Sequence, residues 1–523
     1  MWVWLTFSLV ATLLLAILFI RRYIDYREVS LPLLATLTLS IYLPLSIVFL
    51  LPLDIYNGGS ESEGKIIYRM WQLNYWLTFL LTWALLPFFQ YYTRSGYYEA
   101  KDKARDSVTK LIRYQLALLT VGFSILAYCL LTGKFKLKSL KSIVITCSHI
   151  YSLTIALWMM SHGLISIPKS IYRRSSVDVN QLYLKIPSLS TSKHDHLLNY
   201  KDVCYKIMKY PRNPENSDWL DSLIEKIPAS IRTESNHSVL IDGADSESLV
   251  KLSENLSIYK HKYLEAQNQF NETMDEALKW EEIIDSKNSG SSALIFQHQP
   301  DHLFNKLPRF SYAYYNHLRY HVHVLAGIIS LLISMVIVQS ETFHSTRASL
   351  LKYIINLNFH TRLNSVTVFC FLSYMVVVTL LTLTQVKVFN IYKISPHRNS
   401  NPSSFIFFLT YASRLTIPLS YNFTMLLSNN SSQFQKFLGE SIKLVKAGEV
   451  INDILPRLII VPIILELYNV YGKLNQWIRN VLFLDDDFDL QFDESEPLNR
   501  DDSIIARSKQ IIERELRLRQ AHA

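Results

Sequence analysis

The sequence predicts an all-α fold, a polytopic helical membrane protein with nine transmembrane helices and a helical, coiled-coil cytosolic loop. Composition points there first: of 523 residues 49% are hydrophobic and only 19% charged, and mean hydropathy is slightly positive, which is poor for soluble domains. The apolar residues are also clumped. They form runs of about 20, enough at about 1.5 Å per residue to cross a hydrocarbon core roughly 30 Å thick. Finally, the runs stay apolar throughout, whereas the strands of an outer-membrane barrel alternate over about ten residues. An ordinary soluble enzyme is excluded on the same grounds. The 4 cysteines are dispersed without CxxC spacing, so neither a disulfide-built ectodomain nor a zinc module is implied.

Met1 to Ile20 lacks a basic leader and a small-residue cleavage site and is followed by Arg21 and Arg22, so it reads as an uncleaved first span. The next four are Leu31 to Leu53, Trp71 to Tyr92, Tyr114 to Leu131 and Ile143 to Ile167. Four more follow a polar stretch: His321 to Gln339, Ser365 to Val386, Phe405 to Leu427 and Val450 to Tyr471. The eighth contains Arg414, and the ninth contains Asp453, Arg457, Pro456 and Pro462, so either could be re-entrant instead. The chain thus divides into a bundle over 1–167, a cytosolic loop over 168–319 with a coiled-coil helix near 249–286, a second bundle over 320–471 and a charged cytosolic tail over 472–523.

Lys and Arg near span ends set orientation. With Arg21, Arg22 and Arg27 in the cytosol, the N-terminus is outside, the C-terminus inside, and cytosolic flanks carry about 20 basic residues against about 12 outside. The fourth loop, with Lys134, Lys136, Lys138 and Lys141, dissents. A net charge of +9 is then an attraction of cytosolic flanks to anionic lipid and needs no nucleic acid.

Within the polar stretch, Ser175 to Ser192 and Pro211 to Ser217 read as loop. From Leu249 a seven-residue repeat takes over: Leu249, Leu256, Tyr263, Phe270, Ala277 and Ile284 at one seam position, and Leu252, Tyr259, Ala266, Thr273 and Trp280 at the other. Aromatic, alanine and threonine seam residues suit a strong parallel dimer poorly, which favours antiparallel pairing within the chain, with Leu197 to Met208 as the partner. The tail turns from acidic (Asp485, Asp486, Asp487, Glu494, Glu496) to a basic helix over Ile504 to Arg519. Either that helix is solvated or it docks on headgroups or protein.

Charges inside hydrocarbon are the candidate functional residues, because each costs roughly 2.5 to 3.5 kcal/mol at mid-span on insertion scales. These are Arg414, Glu466, Asp453, Arg457 and Asp54. Arg414 and Glu466 differ in depth by roughly 6 Å of helical rise and are expected to pair. Asp453 and Arg457, four apart, share a face and can neutralise each other. Asp54, at the end of the second span, caps a helix or receives a basic residue. Such pairs either staple the bundle or line a solute path. His149, His162, Asn74 and Gln385 are read first as interhelical hydrogen-bonding groups.

No Walker A, GxGxxG, GxSxG or HExxH motif occurs, and no catalytic residue, cofactor or metal site is expected. His317, His321 and His323, with His298 and His302 upstream, lack a cysteine companion and read as an interfacial cap. Asn429 and Asn430 are glycosylation acceptors in a predicted outer loop. Asn236, Asn255 and Asn271 carry the same pattern on the cytosolic side, and Asn422 inside the membrane.

Several stretches together resemble one family. RMWQLNYWLTFLLTWALLPFFQYYTRSG at Arg69 to Gly96 is similar to the third-span region of the limb-region (LMBR-type) multi-pass membrane protein family, particularly its LMBR domain-containing protein 2 subgroup. GLISIPKSIYR from Gly163, VKVFNIYK from Val386, RLTIPLSYN from Arg414, LPLD at Leu51 and the charged tail agree in order. The resemblance implies nine spans, an outside N-terminus and a cytosolic coiled-coil loop after the fifth span. Family members are described as lipocalin receptor-like proteins, as proteins of lysosomal cobalamin export, and in this subgroup as linked to G-protein-coupled receptor signalling. No shared catalytic or ligand motif comes with it.

The expected function is therefore a non-enzymatic, receptor-like or scaffold membrane protein. Its partners are the lipid bilayer and, through loop and tail, cytosolic signalling proteins or membrane receptors. The alternative is a transporter or lipid-handling protein with a cavity among the last four spans. The plasma membrane is placed first and an endosomal or vacuolar membrane second.

Overall fold

In hydrocarbon a backbone must satisfy its own polar groups, and long apolar runs do so as helices. The computed structural model describes residues 2–27, 29–56, 61–131, 137–214, 216–233, 246–290, 293–298, 303–344, 346, 348–356, 361–385, 394, 400–427, 432–439, 453–468, 470, 473 and 502–522, and among them there is no β-strand. The first group of helices is α1 (Trp2–Tyr23), α2 (Leu31–Tyr56), α3 (Glu61–Leu80), α4 (Leu86–Arg94), α5 (Ala100–Leu131) and α6 (Leu137–Arg173). Next come α7 (Val179–Met208), α8 (Ser217–Glu225), α9 (Ala229–Arg232) and α10 (Ser246–Asn288). The remainder are α11 (Pro308–Ala313), α12 (Arg319–Thr342), α13 (Leu350–Asn356), α14 (Thr361–Gln385), α15 (Pro402–Arg414), α16 (Thr416–Leu426), α17 (Ile460–Leu467) and α18 (Asp502–His522). Among the described residues five helical runs are long and apolar enough to cross a membrane: Thr6–Tyr23, Leu31–Ile55, Cys147–Arg173, Pro308–Thr342 and Asn364–Gln385. The expected glycosylation acceptors Asn429 and Asn430, the site at Asn236, His302, the start of the ninth span and the acidic tail run lie outside the described residues.

The predicted eighth span is a broken helix. It divides at Leu415 into α15 and α16, and both pieces are sunk in the bundle, with Phe405, Leu409, Ala412, Leu419 and Phe423 all buried. Asn401 caps α15 by accepting from the Ser403 amide at 3.0 Å, with Pro402 in the first turn where its missing N–H costs nothing. Around this centre α15 packs on α2 and α4, α16 on α6 and α2, and α6 on α12 and α14. Gly163 lies where α6 meets α14: a Cβ there would run into Thr382 Oγ1 and the Val378 side chain.

Three prolines show how helices are matched to partners. A proline inside a helix leaves the carbonyl four residues back without its donor. Pro44 frees Ser40, and the Ser413 hydroxyl of α15 donates to that carbonyl at 3.0 Å. Pro87 frees Trp83 beside the π-turn Leu81–Leu85, and the Gln115 amide of α5 donates to it at 2.7 Å. In α7, Pro187 frees Tyr183, and the Ser508 hydroxyl of α18 donates to it at 2.6 Å.

The third case corrects a sequence reading. Ser175 to Ser192, expected as loop, is largely the first half of α7: Asp178 caps it through the Asn180 amide at 3.0 Å, and Pro187 is tolerated because Ser508 satisfies the carbonyl it exposes. The whole of α7 then pairs with α10, antiparallel, since Tyr183 donates to Glu281 at 2.9 Å while Tyr200 stacks on Tyr263 at 6.1 Å. Of the expected seam, Leu249, Leu256, Ala266, Phe270 and Ala277 are buried, but Met274 and Leu278 then turn inward, Ile284 is 44% exposed, and Ile283 is buried in a separate cluster with Leu294 and Phe296. A straight helix drifts about 20° per heptad against a strict seven-residue repeat, which moves the buried stripe by one residue toward the C-terminal end.

Candidate functional site

Two places gather polar side chains in a way packing alone does not require: the interior of the bundle, and the three-helix platform of α7, α10 and α18.

Inside the bundle the charges fall into separate nodes. Asp54, at the end of α2, accepts the Gln433 and Phe434 amides at 2.8 and 2.9 Å and Trp71 Nε1 at 3.0 Å. It therefore caps the helical turn that begins at 433, a carboxylate placed against N–H groups with no intrahelical partner. Phe434 completes the node by lying 4.5 Å from the Trp71 ring. Asn74 of α3 donates to the Ser46 hydroxyl of α2 at 3.1 Å.

Glu466 of α17 meets α6, and its Oε2 lies 2.9 Å from Nδ1 of His162, at contact distance though poorly aligned for a hydrogen bond. This corrects the expected Arg414–Glu466 pair. Arg414 is half-buried at the end of α15 and holds its guanidinium 5.8 Å from the ring of Tyr411, one turn back. The break at Leu415 ends its helix, so a depth argument along one continuous rod places it wrongly. Asp453 and Arg457 do pair, at 2.7 Å, and Arg457 also reaches the His344 carbonyl at 3.4 Å.

The most deeply buried node escaped the sequence reading. Glu341 closes α12 at 0% exposure, with His344 at 1% and Asn422 of α16 at 2%. Asn422 donates to Glu341 Oε1 at 2.6 Å, and His344 Nδ1 lies 3.4 Å from Oε2. Glu341 lies two residues past Gln339, where the apolar run of the sixth span ends. A signal was present in the spacing Gly327, Ser330, Ser334, Ile337, Glu341, a stripe of mostly small and polar residues that is the buried face of α12. His149 lies edge-on to Tyr421 with ring centres 4.5 Å apart.

On the platform the tail helix is docked on the loop hairpin. Ile512 and Ser508 are buried against Tyr183, Ile186 and Phe270. Ion pairs frame the contact: Lys193 with Glu515 at 2.9 Å, Lys509 with Glu281 at 3.1 Å and Arg519 with Asp275 at 2.9 Å. Arg519 also donates to Asn271 at 3.0 Å. Burial, then the hydrogen bond to Glu281, pushes the Tyr183 phenol above its ordinary range. Burial lowers His261 on α10 to about 4 and raises the Cys204 thiol of α7 to about 11. At the junction with the bundle, Arg94 meets Glu254 at 3.4 Å, and Arg319 covers the Trp280 ring at 4.2 Å. The nearby His323 contacts the Arg319 carbonyl at 2.9 Å, and among the described residues no three His, Cys, Asp or Glu side chains converge as metal ligands.

Comparison with known proteins gives a consistent family. The family described as LMBR1-like membrane protein matches residues 1–471. A chicken (Gallus gallus) protein named G-protein coupled receptor-associated protein LMBRD2 is 26% identical over 481 residues, covering 80% of this chain and 70% of its own. Its human namesake is 23% identical over 496 residues, covering 81% and 71%. LMBR1 domain-containing protein 2 homolog A of Dictyostelium discoideum is 24% identical over 438 residues, covering 79% and 59%. No solved structure matches. The family match stops before α18.

Proposed function

Since the chain belongs to the LMBR1-like membrane protein family, we propose that it is a non-enzymatic membrane scaffold for receptor signalling, with the helical platform as its partner-binding part. In this reading nine spans cross the bilayer with the N-terminus outside. Four of them are additional to the five apolar runs: Trp71 to Tyr92, Tyr114 to Leu131, the broken α15–α16 and the segment ending in α17. The 168–319 loop and the tail then share the cytosol, at the plasma membrane in preference to an endosomal or vacuolar one. The relatives named as G-protein coupled receptor-associated supply the partner class, a membrane receptor or its cytosolic signalling proteins.

The observation that carries the reading is the contrast between the two polar regions. Three of the bundle carboxylates are consumed locally: Asp54 by amides, Glu466 by His162, Asp453 by Arg457. The platform instead has cores of its own, built from Tyr200, Leu220 and Leu249 and from Tyr183, Phe270 and Ile512, and α18 leaves Arg507, Glu513, Arg514 and Arg517 exposed outside them. Proximity labelling from the tail tests it: deleting 249–284 should remove receptor and signalling proteins from the labelled set while the bundle still inserts. Retention of the same set refutes the platform's role.

A second reading, a carrier, has its own support in Glu341, His344 and Asn422 beside the broken helix α15–α16, since interrupted helices with buried ionisable groups mark transporter sites. Loss of solute uptake in a well-inserted Glu341→Gln protein would favour it over the scaffold.

A further inference from the structure

The first two spans do not close on each other along their whole length. Between them lies a cavity of about 910 Å³, walled by Leu9, Leu13 and Ile17 of α1 and by Ala35 and Leu39 of α2. The walls are apolar, and the Thr38 hydroxyl that reaches the cavity is already spent on the Leu34 carbonyl at 2.8 Å. At one end the character changes sharply. Arg21 lines the mouth together with Tyr26, with its guanidinium 5.8 Å from the Tyr26 ring, and Arg27 approaches the same ring at 5.9 Å. Asp25, the nearest carboxylate in sequence, takes the Arg27 backbone amide at 3.0 Å. Among the described residues neither guanidinium has an ion-pair partner.

Dimensions and charge together select an occupant. From Leu9 to Arg21 the groove follows about 18 Å of helix at about 1.5 Å per residue. One leaflet of a hydrocarbon core roughly 30 Å thick is about that deep. Arg21 ends the span where headgroups lie, as basic residues at span ends do. We propose that the α1–α2 groove binds an anionic glycerophospholipid, one acyl chain lying between Leu13 and Ala35 and the headgroup phosphate held by Arg21 and Arg27. An arginine fork matches phosphate oxygens directly, and the two guanidiniums are held over Tyr26 rather than spent on protein carboxylates. The apolar walls explain why the site takes a lipid and not a free phosphate.

The test uses the full chain in phosphatidylcholine nanodiscs containing a trace of phosphatidylserine that carries a photoreactive group near its acyl-chain end. Irradiation followed by peptide mapping should place the label on 9–17 and 35–42. Excess long-chain phosphatidylserine should compete it away, whereas inorganic phosphate and dihexanoyl phosphatidylserine should not. Arg21→Gln should lower capture about fivefold, the effect of one basic group near an anionic lipid surface. Ala35→Trp, at an exposed position that is not part of the core, should abolish it, and Leu13→Trp repeats that test from the opposite wall. Labelling spread evenly over the spans overturns the proposal. So does an Arg21→Gln effect without a Trp effect, which means headgroup attraction alone, or a Trp effect without an Arg21→Gln effect, which means unselective annular lipid.

Discussion

Ser508→Ala should loosen the tail helix, and the size of the effect should depend on a residue in another helix, Pro187. The Tyr183 carbonyl has lost its helical donor to Pro187, and the Ser508 hydroxyl replaces it at 2.6 Å, shared with the Ile504 carbonyl at 2.8 Å. Ser508 is fully buried, so truncation leaves that carbonyl without a donor in a place where water does not replace it. Leaving such a group unpaired costs about 1–2 kcal/mol, which is roughly a tenfold rise in the opening constant of α18. In a Pro187→Ala background the residue at 187 regains its N–H and can bond to Tyr183 itself, so Ser508→Ala should then change opening by less than about twofold. Alanine's better helix propensity favours the variant by about 0.5 kcal/mol in both backgrounds and cancels in the cycle. Amide hydrogen exchange along 504–519 measures it, with the amides of 249–256 as an internal control. Equal Ser508→Ala effects in the two backgrounds would refute the idea that the proline makes the socket.

Three further outcomes follow from other sites. His261 has a folded pKa of about 4 against an ordinary 6.5, so the unfolded state binds the proton first on acidification. Platform stability should be full above about pH 6.5 and fall by up to about 3 kcal/mol toward pH 4, with His261→Gln flattening the profile in urea titrations. Asp54→Asn turns an amide donor toward a set of three converging donors and should cost about 2–3 kcal/mol, read as a lower thermal midpoint by Trp71 fluorescence; an unchanged midpoint removes the capping role. Gly163→Ala drives a methyl into Val378 and Thr382, and overpacking of about 1–3 kcal/mol should appear as reduced monodisperse yield, relieved by Val378→Ala.

Five of the long apolar runs were legible because a helix in lipid needs nothing but length and composition, and the 43-residue helix α10 because its apolar residues recur at helical spacing from Leu249 onward. Most of what failed to read depends on a partner distant in sequence, and the exception, Ile284, on the pitch of its own helix. Pro187 and the serines around it look like loop until a hydroxyl 321 positions later is known to serve the carbonyl the proline frees. Ile284 looks like a seam residue until the straight path of α10 rotates it outward. Glu341 looks like a loop carboxylate until α16 brings Asn422 to it.

The misplaced Arg414 partner carries a more general consequence. Depth along a span ranks candidate pairs only if helices are continuous, and α15 ends at the residue in question. Once the break is granted, Arg414 no longer needs a carboxylate: it ends a helix, where a cation favours the exposed carbonyls, and it covers an aromatic ring. Glu466 is then free to meet an imidazole instead, and the pair ties α17 to α6. The same logic applies to Asp54, which joins α2 to a turn 379 residues away in sequence, and to Glu341, which joins α12 to α16. Each node crosslinks elements that the loops alone leave distant, so a substitution that removes one partner should loosen a helix-to-helix contact before it alters any chemistry. That ordering separates the two functional readings: a scaffold tolerates Glu341→Gln once the bundle is assembled, whereas a carrier with the same variant inserts normally and stops moving its solute.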